Sequence, residues 1–154
     1  MKVSILLPYK ENYSPTYPGA VSIFVSSTNK LSKYKDEVII YGSTSHKEKL
    51  SKNYVNIDLK RKILRSQSKE YVSKFLEIQK KINPDIIEIH NRPIYIEQLV
   101  QLKSNLVLYF HNDPITMIGS KSVNERVNLL NTCSKIIFNS EWSKKQFLKK
   151  LDKF

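Results

Sequence analysis

Two apolar runs in the second half of the chain end in the same order of residues: a histidine, an asparagine, one charged residue and a proline. They are "IIEIHNRP", residues 86 to 93, and "LVLYFHNDP", residues 106 to 114. The polar side chains that follow the two runs are those of His90, Asn91, Arg92, His111, Asn112 and Asp113. Because an imidazole titrates close to neutral pH, two of them in matching positions predict a site that exchanges protons or hydrogen bonds with a ligand.

Each of these residues also has a purely structural interpretation. Asn, Asp and Pro are ordinary turn residues, and a histidine at a strand end often only binds a loop. Two copies of the pattern favour a site, because turns do not require histidine. Glu88 shares a strand face with His90 and could orient its imidazole, or could simply mark an edge-like position. A metal site built from His90, His111 and Asp113 is the weaker hypothesis, because no close ligand pair such as His-x-x-x-His occurs. We therefore expect no bound metal.

Short apolar runs alternate along the chain with segments of helical hydrophobic spacing. Strands are predicted at residues 2–8, 37–42, 54–59, 86–89, 106–110 and 135–138. Helices are predicted at residues 20–31, 71–82 and 96–102, from a capping box of Ser122 and Glu125 through Leu130, and from Ser140 onward. Near-continuous apolar strands joined by helices indicate an α/β fold, a doubly wound parallel sheet sandwiched by helices and Rossmann-like.

The hydrophobic pattern also assigns individual side chains to the core. The stripe that favours a helix in the first helical segment consists of Ala20, Phe24, Thr28 and Leu31. The apolar side of the closing helix is expected to carry Trp142, Phe147, Leu148 and Leu151. The proline-rich loop after the first strand is expected to be fastened to the domain, rather than to a sugar or a base, by Tyr9, Tyr13 and Tyr17. Cys133 is expected to be a small buried residue.

The predicted topology determines where a ligand would bind. In doubly wound sheets ligands bind outside the carboxyl ends of the strands, where helix N-termini also present their N–H groups. His90, His111 and Ser140 all follow predicted strands. One crossover helix separates His90 from His111, so their strands should be neighbours and both imidazoles should face one crevice.

Length and composition limit the class of protein. A chain of 154 residues is one ordinary domain. Its single cysteine fits a reducing compartment, and the apolar start "VSILLP" is too short for a signal peptide or a membrane span, so a cytoplasmic protein is expected. The formal net charge is +12, but 22 of the 26 basic residues are lysines. Nucleic-acid recognition favours arginine, so we interpret the lysines as solvated helix faces and expect no nucleic-acid partner. An anionic membrane surface is the alternative partner for these lysines.

Other functions of doubly wound folds lack their motifs in this chain. The first strand is followed by "YKENYSPTYPGAV", which has one glycine where a dinucleotide-binding turn needs three. Neither a Gly-x-x-x-x-Gly-Lys phosphate loop nor the Gly-x-Ser-x-Gly turn of serine hydrolases occurs in the sequence. These absences argue against dinucleotide binding, P-loop nucleotide hydrolysis and serine-hydrolase chemistry.

The order of these motifs resembles a known family. A first strand, a loop with Gly19, "NPDIIEIHNRP", "LVLYFHNDP" and "CSKIIFNSEWSKKQFLKKL" together resemble the N-terminal, acceptor-side domain of family-4 (group 1) retaining glycosyltransferases of the GT-B fold. The resemblance runs almost from end to end. Its most specific parts are the strand after Pro84 and Asp85 that ends at His90, the strand ending in His111, and the strand leading into Ser140 and Glu141.

The resemblance implies a catalytic cleft at these strand ends and no metal cofactor. His111 would correspond to the family's cleft histidine beside the transferred sugar, and is therefore the catalytic candidate. The residues that the resemblance and the strand ends assign to acceptor or substrate binding are Gly19, His90, Asn91, Arg92, Asn112, Asp113, Ser140 and Glu141. The implied donor is a nucleotide-sugar, and the implied acceptor is a cell-surface glycan, such as lipopolysaccharide, or a lipid-linked sugar.

Members of this family are usually more than twice as long, with donor-binding motifs in a C-terminal domain. We therefore expect residues 1–154 to form a single Rossmann-like N-terminal domain without that donor-binding domain, and to show little or no sugar transfer alone. The alternative is a non-catalytic basic α/β module that binds nucleic acid or an anionic membrane. A nucleic-acid complex would weaken steeply as salt rises.

Overall fold

A computed structural model describes residues 1–59 and 66–151. Six strands form one all-parallel sheet in the order β3-β2-β1-β4-β5-β6. The strands are β1 (Val3–Leu6), β2 (Val38–Gly42), β3 (Tyr54–Asn56), β4 (Ile86–His90), β5 (Asn105–Phe110) and β6 (Lys135–Phe138). The helices are α1 (Ala20–Leu31), α2 (Gln67–Ile82), α3 (Ile96–Leu99), α4 (Val123–Thr132) and α5 (Glu141–Leu148). The predicted doubly wound, Rossmann-like α/β fold is confirmed.

The sheet separates two apolar cores, because side chains alternate between the faces of a strand. On one face Val21 and Val25 of α1 pack against Ile5 and neighbouring strand residues, and α1 is the one described helix in that core. The opposite face packs against α2, α3, α4 and α5 through Tyr71, Phe75, Leu99, Leu129 and Phe147. Among the described residues, none of the helices has the length and apolar content needed to cross a membrane.

The buried side of α1 differs from the stripe predicted from the sequence. Its buried residues are Val21, Ser22, Val25, Ser26 and Asn29. Of the predicted stripe, Leu31 is 90% exposed, Ala20 and Thr28 are exposed, and Phe24 is half-buried. The stiff, branched valines make the contact with the pleated sheet, and the small serines beside them let the helix approach closely.

The closing helix also buries fewer residues than predicted. Phe147 and, after the helix, Leu151 are buried, whereas Trp142 is 56% exposed and Leu148 is 40% exposed. A helix turns by about 100° per residue, which places Trp142 and Leu148 away from the side that carries Phe147. The expectation that all four residues share one buried side was therefore wrong.

Two of the three loop tyrosines fasten the segment after β1. Tyr13 is fully buried and stacks on Tyr54 with ring centroids 4.8 Å apart. The hydroxyl of Tyr9 donates to Oε1 of Gln67 in α2 at 2.7 Å. Tyr17 is 88% exposed, so its predicted role in holding the loop was wrong.

A carboxylate fixes the alignment of the two central strands. Oδ2 of Asp85 accepts from the backbone N–H of Lys2 at 2.6 Å, and the N–H of Asp85 donates to the carbonyl of Lys2 at 2.9 Å. Further along β1, the hydroxyl of Ser4 donates to Oε1 of Gln79 in α2 at 2.7 Å. The carboxyl ends of β1 and β4 consequently lie side by side, at the point where the strand order reverses.

Helix α4 begins with the predicted capping box. Oγ of Ser122 accepts from the N–H of Glu125 at 3.2 Å, and the carboxylate of Glu125 accepts from the N–H of Ser122 at 2.7 Å. The helix ends before Cys133, which is half-buried rather than fully buried; burial raises the pKa of its thiol to about 12. The start of α4 is thus determined by the two side chains that the sequence pattern identified.

We expect Ser122→Ala to lower the free energy of unfolding by about 1 kcal/mol, because the N-cap acceptor for the Glu125 N–H is removed. The control is Ser27→Ala at an exposed position inside α1, where alanine slightly favours the helix. Urea denaturation followed by circular dichroism measures both variants. Equal stability of the two variants would contradict the capping role.

Candidate functional site

The two predicted histidines meet at the ends of neighbouring strands. His90 is the last residue of β4 and pairs with Tyr109 of β5, and His111 follows β5 directly. Nδ1 of His90 lies 2.8 Å from Nε2 of His111. The prediction that the two histidines follow neighbouring strands is confirmed. The prediction that both imidazoles face one crevice was wrong, because His90 is fully buried and of the two only His111 lines a cavity at these strand ends.

Glu88 contacts the other nitrogen of the buried imidazole. Its Oε1 lies 2.6 Å from Nε2 of His90, whose side chain has no exposed surface. Both ring nitrogens of His90 are therefore used, one by Glu88 and one by His111. We call these three residues the Glu-His-His chain. Of the two interpretations that the sequence left open for Glu88, the geometry supports orientation of the imidazole.

Aromatic side chains hold the Glu-His-His chain on the face of the sheet that α1 covers. The ring of Tyr109 stacks on His111 at 4.5 Å between centroids and on His90 at 5.4 Å. Phe24 of α1 meets His111 edge-on at 4.9 Å. Such contacts fix ring positions and exclude water from the buried imidazole.

The environment of His111 favours its neutral form. Burial, and to a smaller extent the nearby His90, lower the pKa of His111 to about 4, although the Glu88 carboxylate acts in the opposite direction. Burial and the same carboxylate raise the pKa of the neighbouring Tyr109 hydroxyl. At neutral pH His111 is consequently an uncharged group with one N–H donor and one nitrogen acceptor.

Two asparagines fix the backbone around His111. Asn91 is buried and has a left-handed backbone with φ of 56°. Its Oδ1 accepts from the N–H groups of His111 and Asn112, each at 3.3 Å. From the end of β6, Nδ2 of Asn139 donates to the carbonyl of His111 at 2.7 Å. The segment that carries His111 is thereby fastened to both neighbouring strand ends.

A cavity of about 430 Å³ opens at these strand ends, and we call it the strand-end cavity. It is lined by Pro8, Glu11, Ala20, Val21, Asn91, Arg92, His111, Asn112 and Asn139. It lies between the ends of β1 and β4, the position at which doubly wound sheets bind ligands. The predicted site residues on its wall are Asn91, Arg92, His111 and Asn112.

The other residues predicted at the strand ends have local structural contacts. Oδ1 of Asp113 accepts from the N–H of Ile115 at 3.2 Å and begins a short 3-10 turn. Oγ of Ser140 accepts from the N–H of Ser143 at 3.2 Å and caps α5, while Glu141 is exposed in the first turn of that helix. Across residues 1–59 and 66–151, no group of three or more His, Cys, Asp or Glu side chains is placed to hold a metal ion.

Glu11 is the most consequential residue that the sequence analysis missed. Its Oε1 accepts from the N–H of Ser22 at 3.1 Å, in the first turn of α1. A Cβ atom at Gly19 would collide with that same oxygen, so a larger residue there would displace the Glu11 carboxylate from the start of the helix. The helix N-terminus near Gly19, where the resemblance implies binding of acceptor or substrate, thus holds an acidic side chain of the protein itself. One feature of the sequence could have predicted this contact. The helix lacks a Ser, Thr or Asp at its N-cap, and an acidic residue lies in the loop before it.

We expect His111 to titrate in the folded chain with a midpoint near pH 4, against about 6.5 in urea. Between these values the unfolded chain binds more protons, so His111 makes stability fall as the pH is lowered from 6.5 toward 4. Histidine ring signals in NMR spectra measure the titration, and denaturation at several pH values measures the stability.

His111→Gln should flatten the stability profile between pH 6.5 and 4.5, whereas His46→Gln, in a loop outside the strand-end cavity, should leave it unchanged. A folded-state midpoint at 6.5, or equal slopes in the two variants, would show that His111 is not held neutral by its surroundings.

No protein-family model matches the chain, and no curated protein matches it. The site must therefore be judged by its own chemistry. A neutral imidazole, the amides of Asn91, Asn112 and Asn139, and one carboxylate line the cavity, and between them they donate and accept hydrogen bonds in several directions. This combination suits a polar ligand bound at the topological switch point.

Proposed function

We propose that this chain is the acceptor-side domain of a retaining glycosyltransferase and binds a sugar at the strand-end cavity. The observation that carries the proposal is a neutral, half-buried His111 on the cavity wall, backed by the buried His90 and by Glu88. An uncharged imidazole among asparagine amides matches a ligand rich in hydroxyl groups, each of which donates and accepts hydrogen bonds. A second domain would hold the nucleotide-sugar donor, and no metal cofactor is invoked.

The two charged residues of the cavity divide it into two parts. Glu11 neutralises the positive end of α1, so a phosphate is disfavoured there and a neutral hydroxyl is favoured. Arg92 lines the strand-end cavity and also an adjoining cavity of about 350 Å³. Its guanidinium donates to the carbonyl of Asn91 at 2.8 Å, which leaves further N–H groups for an anionic substrate. We assign sugar hydroxyls to the Glu11 side and a phosphate group to the Arg92 side.

In the proposed reaction the acceptor hydroxyl oxygen bonds to the anomeric carbon of the donor, and the bond from that carbon to the nucleotide phosphate breaks. The hydroxyl gives its proton to a base in the cavity, and the nucleotide leaves with the bonding electron pair, so that negative charge develops on its phosphate. His111 hydrogen-bonds the sugar without adding a fixed charge. Arg92, with fixed dipoles, stabilises the charge on the leaving group. We place this reaction in the cytoplasm, with a cell-surface glycan or a lipid-linked sugar as acceptor.

The competing function is a non-catalytic module that binds an anionic membrane or a nucleic acid. One observation favours the membrane form. On α5, the exposed Trp142 and Leu148 stand beside Lys144 and Lys145, and Lys149 follows. An aromatic residue among lysines is the composition of a surface that rests on anionic headgroups.

We expect His111→Ala, in the chain joined to its donor-binding domain, to lower turnover on the order of a hundredfold or more, the scale of one group that takes part in proton transfer. Some stability is lost as well, because the ring packs on Tyr109 and Phe24 and bonds the buried His90, so turnover is compared per folded molecule. His46→Ala is the matched control. Lower stability with intact turnover per folded molecule would mean that His111 is only a turn residue.

Vesicle sedimentation tests the competing function. If α5 rests on a membrane, Lys144→Gln with Lys145→Gln should weaken binding to anionic vesicles by roughly thirtyfold, at about 1 kcal/mol per lysine. The control pair is Lys80→Gln with Lys81→Gln, at the end of α2. Equal losses in both pairs would indicate general charge attraction. Salt-sensitive binding of nucleic acid without any effect of saccharides would favour the nucleic-acid form.

A further inference from the structure

We propose that Glu88 and His90 are positioning residues for His111, and that the Glu-His-His chain carries a proton between two cavities on the α1 face of the sheet. The strand-end cavity borders His111 at one end of the chain. A second cavity borders Glu88 at the other end. The catalytic part of this proposal rests on the proposed function, whereas the proton path itself does not.

The second cavity is an apolar groove of about 530 Å³. Its wall includes Val3, Ile5, Ile86, Val107 and Ile137, together with Glu88 and Lys135. Glu88 pairs with Ile5 on one side and Val107 on the other, so its carboxylate stands among apolar strand residues. Such a position is unfavourable for a carboxylate unless a strong partner compensates, and His90 at 2.6 Å is that partner. The side chain of Glu88 is 26% exposed, so water in the groove reaches it.

The ring nitrogens of His90, the central residue of the Glu-His-His chain, bond only to the other two members of the chain. His90 is fully buried, and its two ring nitrogens point to Glu88 and His111. Tyr109 stacks on its ring, and Phe24 lies 6.2 Å away between centroids. A proton that enters one nitrogen of His90 can therefore leave only through the other. A carboxylate that only oriented one imidazole would need neither a second histidine nor a cavity at each end of the Glu-His-His chain.

The hydrogen bonds set the tautomers when each ring carries one proton. The ionised carboxylate of Glu88 accepts from Nε2–H of His90. Nδ1 of His90 is then an acceptor, so His111 must donate from Nε2–H. The remaining nitrogen of His111, Nδ1, carries a lone pair. Glu88 thus makes His111 a base at Nδ1, although it never contacts the ligand.

Proton transfer along the chain is balanced at every step. A ligand hydroxyl gives its proton to Nδ1 of His111, Nε2–H of His111 passes to Nδ1 of His90, and Nε2–H of His90 passes to Glu88. Each imidazole ends with one proton on the opposite nitrogen, the ligand is an alkoxide or has bonded to its electrophile, and Glu88 is a neutral acid. Water in the groove then takes the proton from Glu88.

Other charged or titratable groups border the path without interrupting it. Glu11 and Arg92 face the strand-end cavity, and Lys135 of β6 faces the groove with Glu88. The fourth group is the hydroxyl of Tyr109, whose ring stacks on both imidazoles. Among the described residues, no hydrogen bond joins any of these four groups to a ring nitrogen of His90 or His111.

The tautomers are tested first, without any assay of activity. Long-range proton–nitrogen NMR spectra of the labelled chain at pH 7 should show both imidazoles protonated at Nε2. Glu88→Ala should remove this preference and give His111 signals averaged between two tautomers. Added formate, a substitute carboxylate that fits the space left in the groove by this substitution, should restore the original signals. A His111 tautomer that ignores both Glu88→Ala and formate would overturn the proposal.

Turnover is tested second, in the chain with its donor-binding domain. Glu88→Ala should lower kcat on the order of tenfold or more with little change in KM, and formate should recover much of the loss. Glu88→Gln fills the space and cannot take a proton, so it should be equally slow and gain nothing from formate. Glu97→Ala, at an exposed position on α3, is the control for loss of a surface charge.

The two tests separate the proton path from the proposed function. Formate-dependent tautomers in a protein that transfers no sugar would support the path and reject the transferase. Sugar transfer that is unaffected by Glu88→Ala and Glu88→Gln would support the transferase and reject the path. A loss of kcat that formate does not reverse, in a folded Glu88→Ala protein, also rejects the path.

Discussion

The arrangement of the candidate site depends on the left-handed backbone of Asn91. A non-glycine residue rarely adopts φ of 56°, and asparagine is among the types that tolerate it best. The turn directs the buried amide toward the next strand, where Oδ1 accepts from two successive N–H groups, while the N–H of Asn91 donates to the carbonyl of Tyr109 at 2.8 Å. These bonds hold the ends of β4 and β5 together, and they place His90 within hydrogen-bonding distance of His111.

The repeated His-Asn motif is therefore a repeat in sequence and not in function. Asn91 is the buried clamp, and Asn112 is an exposed residue whose N–H the clamp holds. His90 is enclosed between strand and helix, and His111 reaches the strand-end cavity. The two motifs differ because β4 lies one strand closer to the centre of the sheet than β5. Burial, rather than residue type, distinguishes the enclosed imidazole from the one that lines the cavity.

The sequence predicted those features that local patterns and topology determine. Apolar runs, caps and the crossover between His90 and His111 were sufficient for the parallel sheet, the α4 capping box and the meeting of the two imidazoles. The contacts of Glu11 and Asn139 were not predicted, because each joins segments far apart in the chain through residue types that have no characteristic spacing. The buried side of α1 was misassigned for a related reason. Small serines and branched valines pack closely against the sheet, whereas the predicted stripe followed the helical spacing that contains Phe24 and Leu31.

Helix α1 connects these observations, because it is the one described helix on its face of the sheet. Its first residues, Ala20 and Val21, border the strand-end cavity, and Thr28 and Asn29 near its end border the groove. Between them Phe24 rests on the ring cluster of the two histidines and Tyr109. The helix and these rings lie between the two cavities. Among the described residues, the hydrogen bonds that join Glu88 to His111 run through the imidazole of His90, so the proton path that we propose beneath α1 passes through that ring.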